Sequence, residues 1–558
     1  MRHVSKILLG TTISVLLLAC SAGDNKTIAA NESAATASAY IFNPSSEDIE
    51  SYMRFLADDG LQGREAGTQG YDDAAAYVAK TFAELGLTPA GDNGTYFQEV
   101  RLKRAYRDTQ AASLTAQKTN GDIIPLSINE DFAIGASVTN PESTISAPVV
   151  FAGYGIVAPK EGRNDYEGLD VKGKIVATLA RTPKGIEPEE RAFYGSRKLK
   201  EASDRGAIGL VSLETITAEK VFSFGRLIKE GRLDSARMSW VLPNGEAYSR
   251  APGLKGGAGF SRQGADHLFK DAPMSWDEIS ELAEKDGGVT PTFELPIKMT
   301  ITQASKLDEV RSSNVAAMIE GTDPELKDEV IILTAHLDHI GVASTGEEDV
   351  INNGALDNAA GIATLLDAAR MMLENEPPRR SVMFLAVTAE EKGLLGSQYF
   401  AKNPTVNKDN IVANINLDMP VLTYDFTDII VFGGARSTIE AAISSAASDM
   451  DIVIGPDPFP EQGIFTRSDH FRFVEEGIPS VMLSTGFANG GEAAWTTHFA
   501  EHYHRPSDDL NNNINYAAAA KFAELKTRIS FALANQDERP VWKKGDFFAK
   551  QFDGPTAE

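Results

Sequence analysis

The sequence predicts an α/β protein with a mostly parallel central sheet that is covered by helices on both faces, plus an inserted β-rich domain. Between about residue 313 and residue 535, short apolar runs alternate with segments of helical periodicity. Buried strands that alternate with helices are typical of a parallel sheet. Between about residues 124 and 304, short β-like runs instead alternate with loops rich in Gly and Pro. This change of character predicts the insertion.

The N-terminus predicts export. Arg2, His3 and Lys6 form a positive start, and the apolar run up to Ala19 is too short to span a bilayer comfortably. Cys20 is the only cysteine of the chain and follows a Leu-Leu-Ala sequence, an arrangement that resembles the lipobox of a bacterial lipoprotein signal. An ordinary secretory signal with an incidental cysteine is the alternative.

The lipobox interpretation implies a signal peptide over residues 1–19, a lipid anchor on Cys20 and a flexible tether over residues 20–45, which are rich in Ala, Ser, Thr and Asn. The protein would then be exported and anchored in the outer membrane, facing the periplasm or the cell surface. The lipid on Cys20 would be its only attachment to a membrane.

Length, net charge and cysteine content limit the number of domains and the kinds of partner and site that the protein can have. A chain of 558 residues is too long for one ordinary core, so two or more domains are expected. A net charge of −26 argues against nucleic acid or an anionic membrane surface as the main partner. The single cysteine excludes an internal disulfide framework and a cysteine-based zinc site.

The chain after the tether begins with helices. Helical periodicity starts at about Ser45 and again over Tyr71–Leu87, with Gly86 as a natural terminator and a glycine-rich loop at residues 61–70 between the two. Further strands are predicted in the apolar runs Val330–Ala335, Ser381–Val387, Ile411–Leu417, Asp428–Phe432 and Ser480–Leu483. Further helices are predicted over Asn358–Leu373, Ser437–Ala447 and Ala517–Asn535.

Ligand-type side chains follow the ends of these strands, where active sites of such sheets lie. His336 and Asp338 come directly after the first strand and are two residues apart, so they share a face of the extended chain. The Asp338 carboxylate would therefore be placed to orient His336 while His336 holds a metal ion.

Four further acidic residues and one late histidine complete the pattern, namely Asp357, Glu390, Glu391, Asp418 and His504. Each has an ordinary alternative: Asp357 as a helix N-cap, Asp418 as a turn residue, His504 as a surface residue, and the glutamate pair as solvated charges in a turn. The glutamates can converge on one site only if the backbone bends there, because successive strand side chains point to opposite faces.

The order and spacing of these motifs resemble the di-zinc aminopeptidase family of metallopeptidases, which also contains glutamate carboxypeptidases and, in a related branch, glutaminyl cyclases. The residues concerned are H-x-D at 336, G-A-L-D-N-A-A-G at 354, A-E-E-K-G-L-L-G-S at 389, L-D-M at 417, S-D-H at 468 and Y-H-R-P-S-D at 503. The likeness covers about residues 46–100 and 310–535. The segment between them, with Phe151–Ile156 and Asp170–Ile175, resembles a protease-associated domain.

This resemblance implies a zinc exopeptidase fold with two zinc ions, although other divalent metals are not excluded. His336 and Asp418 would hold one ion, Glu391 and His504 the other, and Asp357 would bridge them. Asp338 would be the partner of His336 and Glu390 the general base. His498 and His502 lie near His504, but His504 matches the motif best. The resemblance also implies a cis peptide bond between Asp357 and Asn358.

The implied domains are a peptidase part over residues 46–123, a protease-associated insert over 124–304, the metal-binding peptidase part over 305–540 and a C-terminal tail over 541–558. The implied activity is hydrolysis of the N-terminal peptide bond of peptides. A carboxypeptidase of the same family is the first alternative, because Arg467 and Arg505 could bind a terminal carboxylate. An inactive binding protein on the same scaffold is the second. The oligomeric state is left open.

Overall fold

The computed structural model of the protein describes residues 40–343 and 349–558. The predicted signal peptide 1–19, the anchor Cys20 and the tether up to residue 39 lie outside the described residues. Residues 41–558 form one unit. Among the described residues, the helices are all too short or too polar to cross a membrane.

The strands of the described residues are β1 (Thr88–Pro89), β2 (Phe97–Arg107), β3 (Ser113–Lys118), β4 (Ile123–Ile124), β5 (Phe132–Ala133), β6 (Glu142–Phe151), β7 (Val157–Ala158), β8 (Arg163–Asn164), β9 (Ile175–Leu179), β10 (Gly209–Leu213), β11 (Arg237–Trp240), β12 (Gly256–Phe260), β13 (Phe293–Ile319), β14 (Val330–His336), β15 (Ser381–Val387), β16 (Ile411–Leu417), β17 (Asp428–Phe432), β18 (Val453–Gly455) and β19 (Ser480–Thr485).

The α-helices of the same residues are α1 (Ser46–Leu56), α2 (Gln69–Leu85), α3 (Pro188–Ser196), α4 (Lys198–Asp204), α5 (Ile216–Phe222), α6 (Phe224–Lys229), α7 (Arg262–Phe269), α8 (Trp276–Ala283), α9 (Ala360–Leu373), α10 (Leu395–Lys402), α11 (Ile439–Asp449), α12 (His470–Val474), α13 (Gly491–Thr497), α14 (Tyr516–Asn535) and α15 (Phe547–Gln551).

The central sheet has the order β13–β15–β14–β16–β19–β17–β18. Its core is parallel, because β15, β14, β16 and β19 all run in the same direction. Every residue of β14, β15 and β16 is buried, as expected for strands with both faces covered. The predicted α/β class with a mostly parallel sheet is therefore confirmed.

Helices cover both faces of this sheet, and alternate residues of β14 show it. Ile331 and Leu333 pack in a cluster with apolar residues of α9 and α14. Val330 and Ile332 pack in a different cluster, which contains Phe400 of α10 and Phe473 of α12. Because successive strand residues point to opposite faces, the two clusters lie on the two sides of the sheet.

A second sheet is built mainly from the predicted insertion, in the order β4–β3–β13–β6–β9–β10–β12–β5. The long strand β13 belongs to both sheets: residues up to about 304 pair with β3 and β6, and residues from 305 onward pair with β2 and β15. The boundary expected between residues 304 and 305 thus falls inside one continuous strand. Strand β11, also from the predicted insertion, pairs with β2 beside the central sheet.

Most predicted elements agree with the structure to within two or three residues. The predicted strands Ser381–Val387, Ile411–Leu417 and Asp428–Phe432 have the observed bounds. The predicted C-terminal tail packs against the rest of the protein. Trp542 and Phe548 are fully buried, and the Trp542 indole donates a hydrogen bond to the carbonyl of Gly477 at 2.8 Å.

One buried lysine in α14 has an amine group without a hydrogen-bond partner among the described residues. Lys526 is 0% exposed, and its Nζ has no hydrogen-bond partner among the described residues. The ammonium lies 4.2 Å from the centre of the Phe522 ring. Burial lowers the pKa of Lys526 well below its ordinary value, so folding favours the neutral amine.

We predict that Lys526→Met raises the free energy of unfolding by about 1–3 kcal/mol at pH 7, since it removes a buried donor without a partner. Between the lowered pKa of Lys526 in the folded state and its pKa near ~10.4 in the unfolded state, the unfolded state binds one more proton than the folded state. Lys526 therefore lowers the free energy of unfolding as the pH falls through that window. The gain should therefore be larger at pH 7 than at pH 10, measured by urea denaturation.

Lys521→Met is the matched control in the same helix. Its Nζ donates to the carbonyl of Phe426 at 2.6 Å and lies 3.3 Å from an Asp425 oxygen, so this substitution should give no gain. Equal effects of the two substitutions would contradict the prediction.

Candidate metal centre

The C-terminal ends of the parallel strands place the site. In the register of the sheet, His336 at the end of β14 lies opposite Val387 of β15, and Ala335 lies opposite Leu417 of β16. The residues that follow each strand therefore emerge at one edge. His336, the Glu390–Glu391 pair and Asp418 come together there because the strands end level with one another.

The first cluster joins His336, Asp357 and Asp418. His336 Nε2 lies 3.1 Å from Asp418 Oδ1 and 3.2 Å from Asp357 Oδ1. These three residues offer ligand atoms within 4.8 Å of one another. One imidazole nitrogen with two carboxylate oxygens is a donor set that suits a divalent metal ion.

The second cluster shares Asp357. His504 Nε2 lies 3.2 Å from Asp357 Oδ2 and 3.3 Å from Glu391 Oε2. Asp357 therefore faces one cluster with Oδ1 and the other with Oδ2, which is the geometry of a bridging carboxylate. The structure brings all five predicted ligands together, and their binding of metal stays a prediction.

His339 is a residue that the sequence patterns did not single out. It is fully buried, and its Nδ1 lies 2.8 Å from Glu391 Oε1 and 3.9 Å from Asp357 Oδ2. Its Nε2 has no hydrogen-bond partner among the described residues. His339 thus contacts Oε1 of Glu391, whereas His504 lies close to Oε2 of Glu391 and to Oδ2 of Asp357. The only sequence signal was its place one residue after Asp338.

In the second cluster, the carboxylates and the histidines shift one another's pKa values. Against the effect of burial and of Asp357, hydrogen bonds to His339 and His504 lower the pKa of Glu391 to about 2. Burial lowers the pKa of His504, but Asp357 and Glu391 outweigh it and raise this pKa to about 10. The hydrogen bonds to the histidines likewise hold the pKa of Asp357 well below its ordinary value in spite of burial. These carboxylates are therefore ionised and favour a cation between them.

The pKa of Glu390 is shifted in the opposite direction to that of Glu391. Burial, with repulsion from Glu391 and Asp418, raises the pKa of its carboxyl well above the ordinary value, even though His336 lowers it. Glu390 lines the same pocket as His336, Asp357 and Asp418. A carboxylate with a raised proton affinity at the edge of a candidate metal centre is a suitable proton acceptor.

The close approach of several carboxylates in this small volume tests whether a metal ion would fit, because their repulsion needs a positive charge to offset it. Glu390 is repelled by Glu391 and Asp418, and Glu391 is repelled by Asp357. The nearest histidines neutralise only part of that charge. A divalent cation at each cluster would offset the remaining repulsion. The residues present therefore fit a metal centre with nitrogen and oxygen ligands.

Asp338 differs from its expected role. His336 Nδ1 lies 3.0 Å from the backbone carbonyl oxygen of Asp338, rather than from its carboxylate. The carboxylate instead accepts hydrogen bonds from the backbone N–H groups of Glu390 at 3.0 Å and Glu391 at 3.3 Å. The physical reason is the bend after β15, which turns both N–H groups toward β14. Asp338 thus still orients His336, through its carbonyl, and its side chain positions the glutamate pair.

The bend that brings two adjacent glutamates to one site lies at Ala389, whose φ is +53°. This left-handed conformation breaks the alternation of the strand directly before Glu390. The requirement for a bend between the strand and the site is therefore met. Burial of Asp338 raises its pKa to about 6, in spite of the two backbone donors.

Asp508 positions the bridging residue and was missed as a site residue. Its Oδ1 accepts the backbone N–H of Leu356 at 3.0 Å and its Oδ2 that of Asp357 at 3.0 Å. Asp508 is fully buried. The Asp357–Asn358 peptide bond is cis, as the family resemblance implied. The only sequence signal for Asp508 was its position at the end of the Y-H-R-P-S-D motif.

Arg64, in the glycine-rich loop, supports the same segment from the other side. It is 1% exposed and donates to the carbonyl oxygens of Leu337 at 2.9 Å, Asn353 at 2.6 Å and Gly354 at 3.1 Å. One guanidinium thereby ties the end of β14 to the segment that leads into Asp357. The sequence pattern identified the loop but assigned Arg64 no role.

A buried polar chain supports Asp418. Thr334 Oγ1 donates to Asn416 Oδ1 at 2.7 Å, Asn416 Nδ2 donates to Ser468 Oγ at 2.7 Å, and the Ser468 hydroxyl donates to Asp418 Oδ2. Oδ1 of Asp418 is left to face His336. Polar residues inside β14 and β16 thus hold a carboxylate oxygen at the sheet edge.

A cavity of about 720 Å³ opens beside the two clusters. Its lining falls into two walls. One wall comes from residues 459–468 and includes Phe459, Gln462, Ile464, Arg467 and Ser468, and the other comes from residues 495–504 and includes Trp495, Thr496, Phe499, Ala500 and Tyr503. Met419 and Met482 also line it. The cavity is largely apolar and aromatic away from the metal ligands.

Of the two arginines that keep a carboxypeptidase possible, the structure places only one in this cavity. Arg467 lines it, and its guanidinium has no ion-pair partner among the described residues. Arg505 is exposed and donates to the backbone carbonyl of Glu501 at 3.3 Å. Of these two arginines, only Arg467 could therefore meet a terminal carboxylate in this cavity.

We predict that Asp508→Asn weakens the binding of Zn²⁺, used as a probe, by about 10- to 100-fold. Asparagine offers one acceptor oxygen for two backbone donors, so the segment that carries Asp357 loses one of its two hydrogen bonds. Isothermal titration of metal-free protein measures the change. Asp509→Asn is the neighbouring control, since the Asp509 carboxylate accepts hydrogen bonds from the backbone and side chain of Asn511. This variant should bind the probe as the unaltered protein does. Equal affinity of both variants would refute the assignment.

Comparison with known proteins relates this part of the chain to a family of peptidases. The profile of Peptidase family M28 matches residues 314–529, a range that contains every predicted ligand as well as Asp338 and Glu390. Aminopeptidase YwaD of Bacillus subtilis (strain 168) is 26% identical over 231 residues, which are 40% of this chain and 46% of that protein. A probable leucine aminopeptidase 2 of Aspergillus oryzae (strain ATCC 42149 / RIB 40) is 29% identical over 231 residues, 38% of this chain and 43% of that protein.

The chain spans less than half the length of these curated relatives. The solved structure of an aminopeptidase from Aneurinibacillus sp. strain AM-1 aligns with a TM-score of 0.49 at 18% identity and covers 92% of this chain and 98% of that one. Residues 314–529 of this chain match the profile of Peptidase family M28, and the motifs at the strand ends lie within that range.

Proposed function

We propose that the protein is a zinc-dependent exopeptidase that hydrolyses the N-terminal peptide bond of peptides. The observation that carries the proposal is Asp357, which faces a His–Asp pair with one carboxylate oxygen and a His–Glu pair with the other. Glu390 lines the same cavity. Two relatives that are aminopeptidases by name support the choice of reaction.

Two zinc ions fit the donor sets. His336 and Asp418 would hold the first ion, Glu391 and His504 would hold the second, and Asp357 would contribute one oxygen to each. Ligands of this kind with no thiolate suit zinc without excluding manganese or cobalt. When bound, zinc polarises a carbonyl group and lowers the pKa of water toward neutrality.

The protein's own residues then perform the proton transfer. Glu390 would take a proton from the attacking water and deliver it to the leaving amine, because its raised pKa suits both steps. The backbone N–H groups of Glu390 and Glu391, bound to the Asp338 carboxylate, hold the two glutamates in place.

In an aminopeptidase the free α-amine of the substrate would sit beside the metal pair. Glu390 lines the same cavity. Met419, Ile464, Met482, Trp495 and Phe499 provide an apolar volume in this cavity. This arrangement favours peptides that begin with a bulky apolar residue.

A carboxypeptidase is the second candidate, and Arg467 is the observation in its favour. Its guanidinium lies in the lining of the cavity without an ion-pair partner among the described residues. A carboxylate at the C-terminus of a peptide would be attracted to it. The two relatives that are aminopeptidases by name favour the aminopeptidase instead. An inactive binding protein is less well supported, since every predicted ligand and Glu390 are present.

We predict that metal-loaded protein trims peptides from the amino terminus and prefers Leu or Phe to Asp at that position by at least about tenfold. A defined peptide library read by mass spectrometry measures the terminus and the side-chain preference in one experiment. A chelator should abolish the activity and added Zn²⁺ should restore it. Trimming from the carboxyl terminus, lost in Arg467→Ala, would establish the second candidate instead.

We predict that Glu390→Gln lowers kcat by about 10²- to 10⁴-fold, because glutamine cannot accept the proton. The bound metal should be unchanged, since Glu390 is not assigned as a ligand, and elemental analysis measures this directly. Glu391→Gln is the contrasting variant: it should lose metal as well as activity. If Glu390→Gln lost metal to the same extent, the roles of base and ligand would be wrongly assigned.

A further inference from the structure

One wall of the cavity is held in place by residues that lie outside the metal centre. The pocket segment, residues 459–468, contributes five residues to the cavity lining. It consists of two short 3₁₀ turns, Pro460–Gln462 and Ile464–Thr466. Such short turns cannot fix their own position, because they contain few internal hydrogen bonds. Their position must come from contacts behind the wall.

Phe465 is the anchor of the pocket segment. Its neighbours Ile464 and Arg467 line the cavity, whereas Phe465 is 0% exposed and is not part of the lining. Its ring packs 5.3 Å from that of Phe548 in α15 and 5.9 Å from that of Phe471 in α12. Any shift of this ring would move the wall with it.

Arg436 lies at the centre of this packing. Its guanidinium carbon lies 5.4 Å from the centre of the Phe465 ring and 4.8 Å from that of Phe548. It forms an ion pair with Glu189 in the first turn of α3, Nε to Oε2 at 2.8 Å. On the other side, Nη1 donates to Asp546 Oδ2 at 2.8 Å. One side chain thereby joins the predicted insertion, the C-terminal residues and the pocket segment.

Helix α3 also touches the pocket segment directly. Arg191 Nη2 donates to the carbonyl of Glu461 at 2.7 Å. Gly463, at φ +58°, approaches the helix so closely that an added Cβ would lie 2.9 Å from the Cβ of Ala192. Glu189 therefore fixes a helix against which the wall of the cavity rests.

Asp546 fixes the third element. Its Oδ1 accepts the backbone N–H groups of Phe548 at 2.8 Å and Ala549 at 3.0 Å, which caps the N-terminus of α15. Its Oδ2 is the oxygen that binds Arg436. The same carboxylate thus places Phe548, the ring against which Phe465 packs.

We propose that Arg436 is a positioning residue that sets the side-chain preference of the cavity. By holding Phe465 between α3 and α15, it keeps the pocket segment at the distance from Met482 and Trp495 that a bulky apolar N-terminal residue fills. The inference rests on the proposed aminopeptidase function for its consequence in catalysis. It goes beyond that function in assigning specificity to a residue that touches neither substrate nor metal.

The first test measures kcat/KM of metal-loaded protein on N-terminal Ala, Leu and Phe substrates with a 7-amido-4-methylcoumarin leaving group. Arg436→Gln should lower the ratio of Phe to Ala by about tenfold, while kcat/KM for Ala changes less than about threefold. Arg436→Lys keeps the charge but loses the planar stack and the fork of donors, so its ratio should lie between the two. Bound metal should be the same in all variants.

The matched control is Arg250→Gln. Arg250 also joins the predicted insertion to the peptidase part, through Glu475 at 2.8 and 2.7 Å. Among the described residues, none of its side-chain hydrogen bonds or ion pairs reaches the pocket segment. Its ratio of Phe to Ala should equal that of the unaltered protein. An equal loss on all three substrates in Arg436→Gln, or the same change of ratio in Arg250→Gln, would overturn the proposal.

Two further measurements keep the test decisive. If Arg436→Gln does not fold, Glu189→Gln breaks only the ion pair to α3, and it should still lower the ratio of Phe to Ala. Amide hydrogen exchange over residues 459–468 should become faster in the Arg436 and Glu189 variants and stay unchanged in Arg250→Gln. This readout needs no activity, so unchanged exchange refutes the inference, whereas an inactive unaltered protein refutes only the proposed function.

Discussion

The level ends of β14, β15 and β16 are the constraint on which the rest of the structure depends. Parallel pairing in this register places the residues after each strand at one edge. Since all residues of the three strands are buried, a slip by one residue would turn the apolar set of a strand toward the opposite face. The packing that stabilises the sheet therefore also fixes where His336, Glu391 and Asp418 meet.

The acidic centre is held mainly by backbone groups. Asp338 accepts two backbone N–H groups from the glutamate pair, and Asp508 accepts two from the segment at Asp357. Arg64 completes this arrangement by donating to carbonyl oxygens on both sides of the centre. Because these supports bind the main chain, the oxygens of the candidate ligands stay free to face a cation. A centre preorganised in this way loses little entropy when a metal binds.

The cavity depends on more of the chain than the metal centre does. The candidate ligands come from residues 336–504, whereas the wall at residues 459–468 rests on α3 from the predicted insertion and on α15 near the C-terminus. The long strand β13 makes this possible, because it runs through both sheets without interruption and so fixes one sheet relative to the other. Chemistry and specificity would thus be set by different parts of one unit.

The local patterns of the sequence determined the α/β class, most element bounds and the candidate ligands. Apolar runs and helical periodicity depend on near neighbours, so Ser381–Val387 and Ile411–Leu417 could be predicted as strands with the observed bounds. The candidate ligands His336, Asp357, Glu391, Asp418 and His504 followed from the family resemblance of the motifs that carry them. They meet in the structure for the reason that was expected, the common edge of parallel strands.

Only the tertiary structure decided the role of the Asp338 carboxylate, the contact of His339 with Glu391, the support by Asp508 and Arg64, and the continuity of β13. Each depends on residues far apart in the chain: Arg64 and Asn353 are 289 residues apart, and Asp508 and Leu356 are 152 apart. Such contacts carry no local periodicity and no motif of their own. The sequence determined which groups are available at the sheet edge, and packing decided which atom of each group faces which partner.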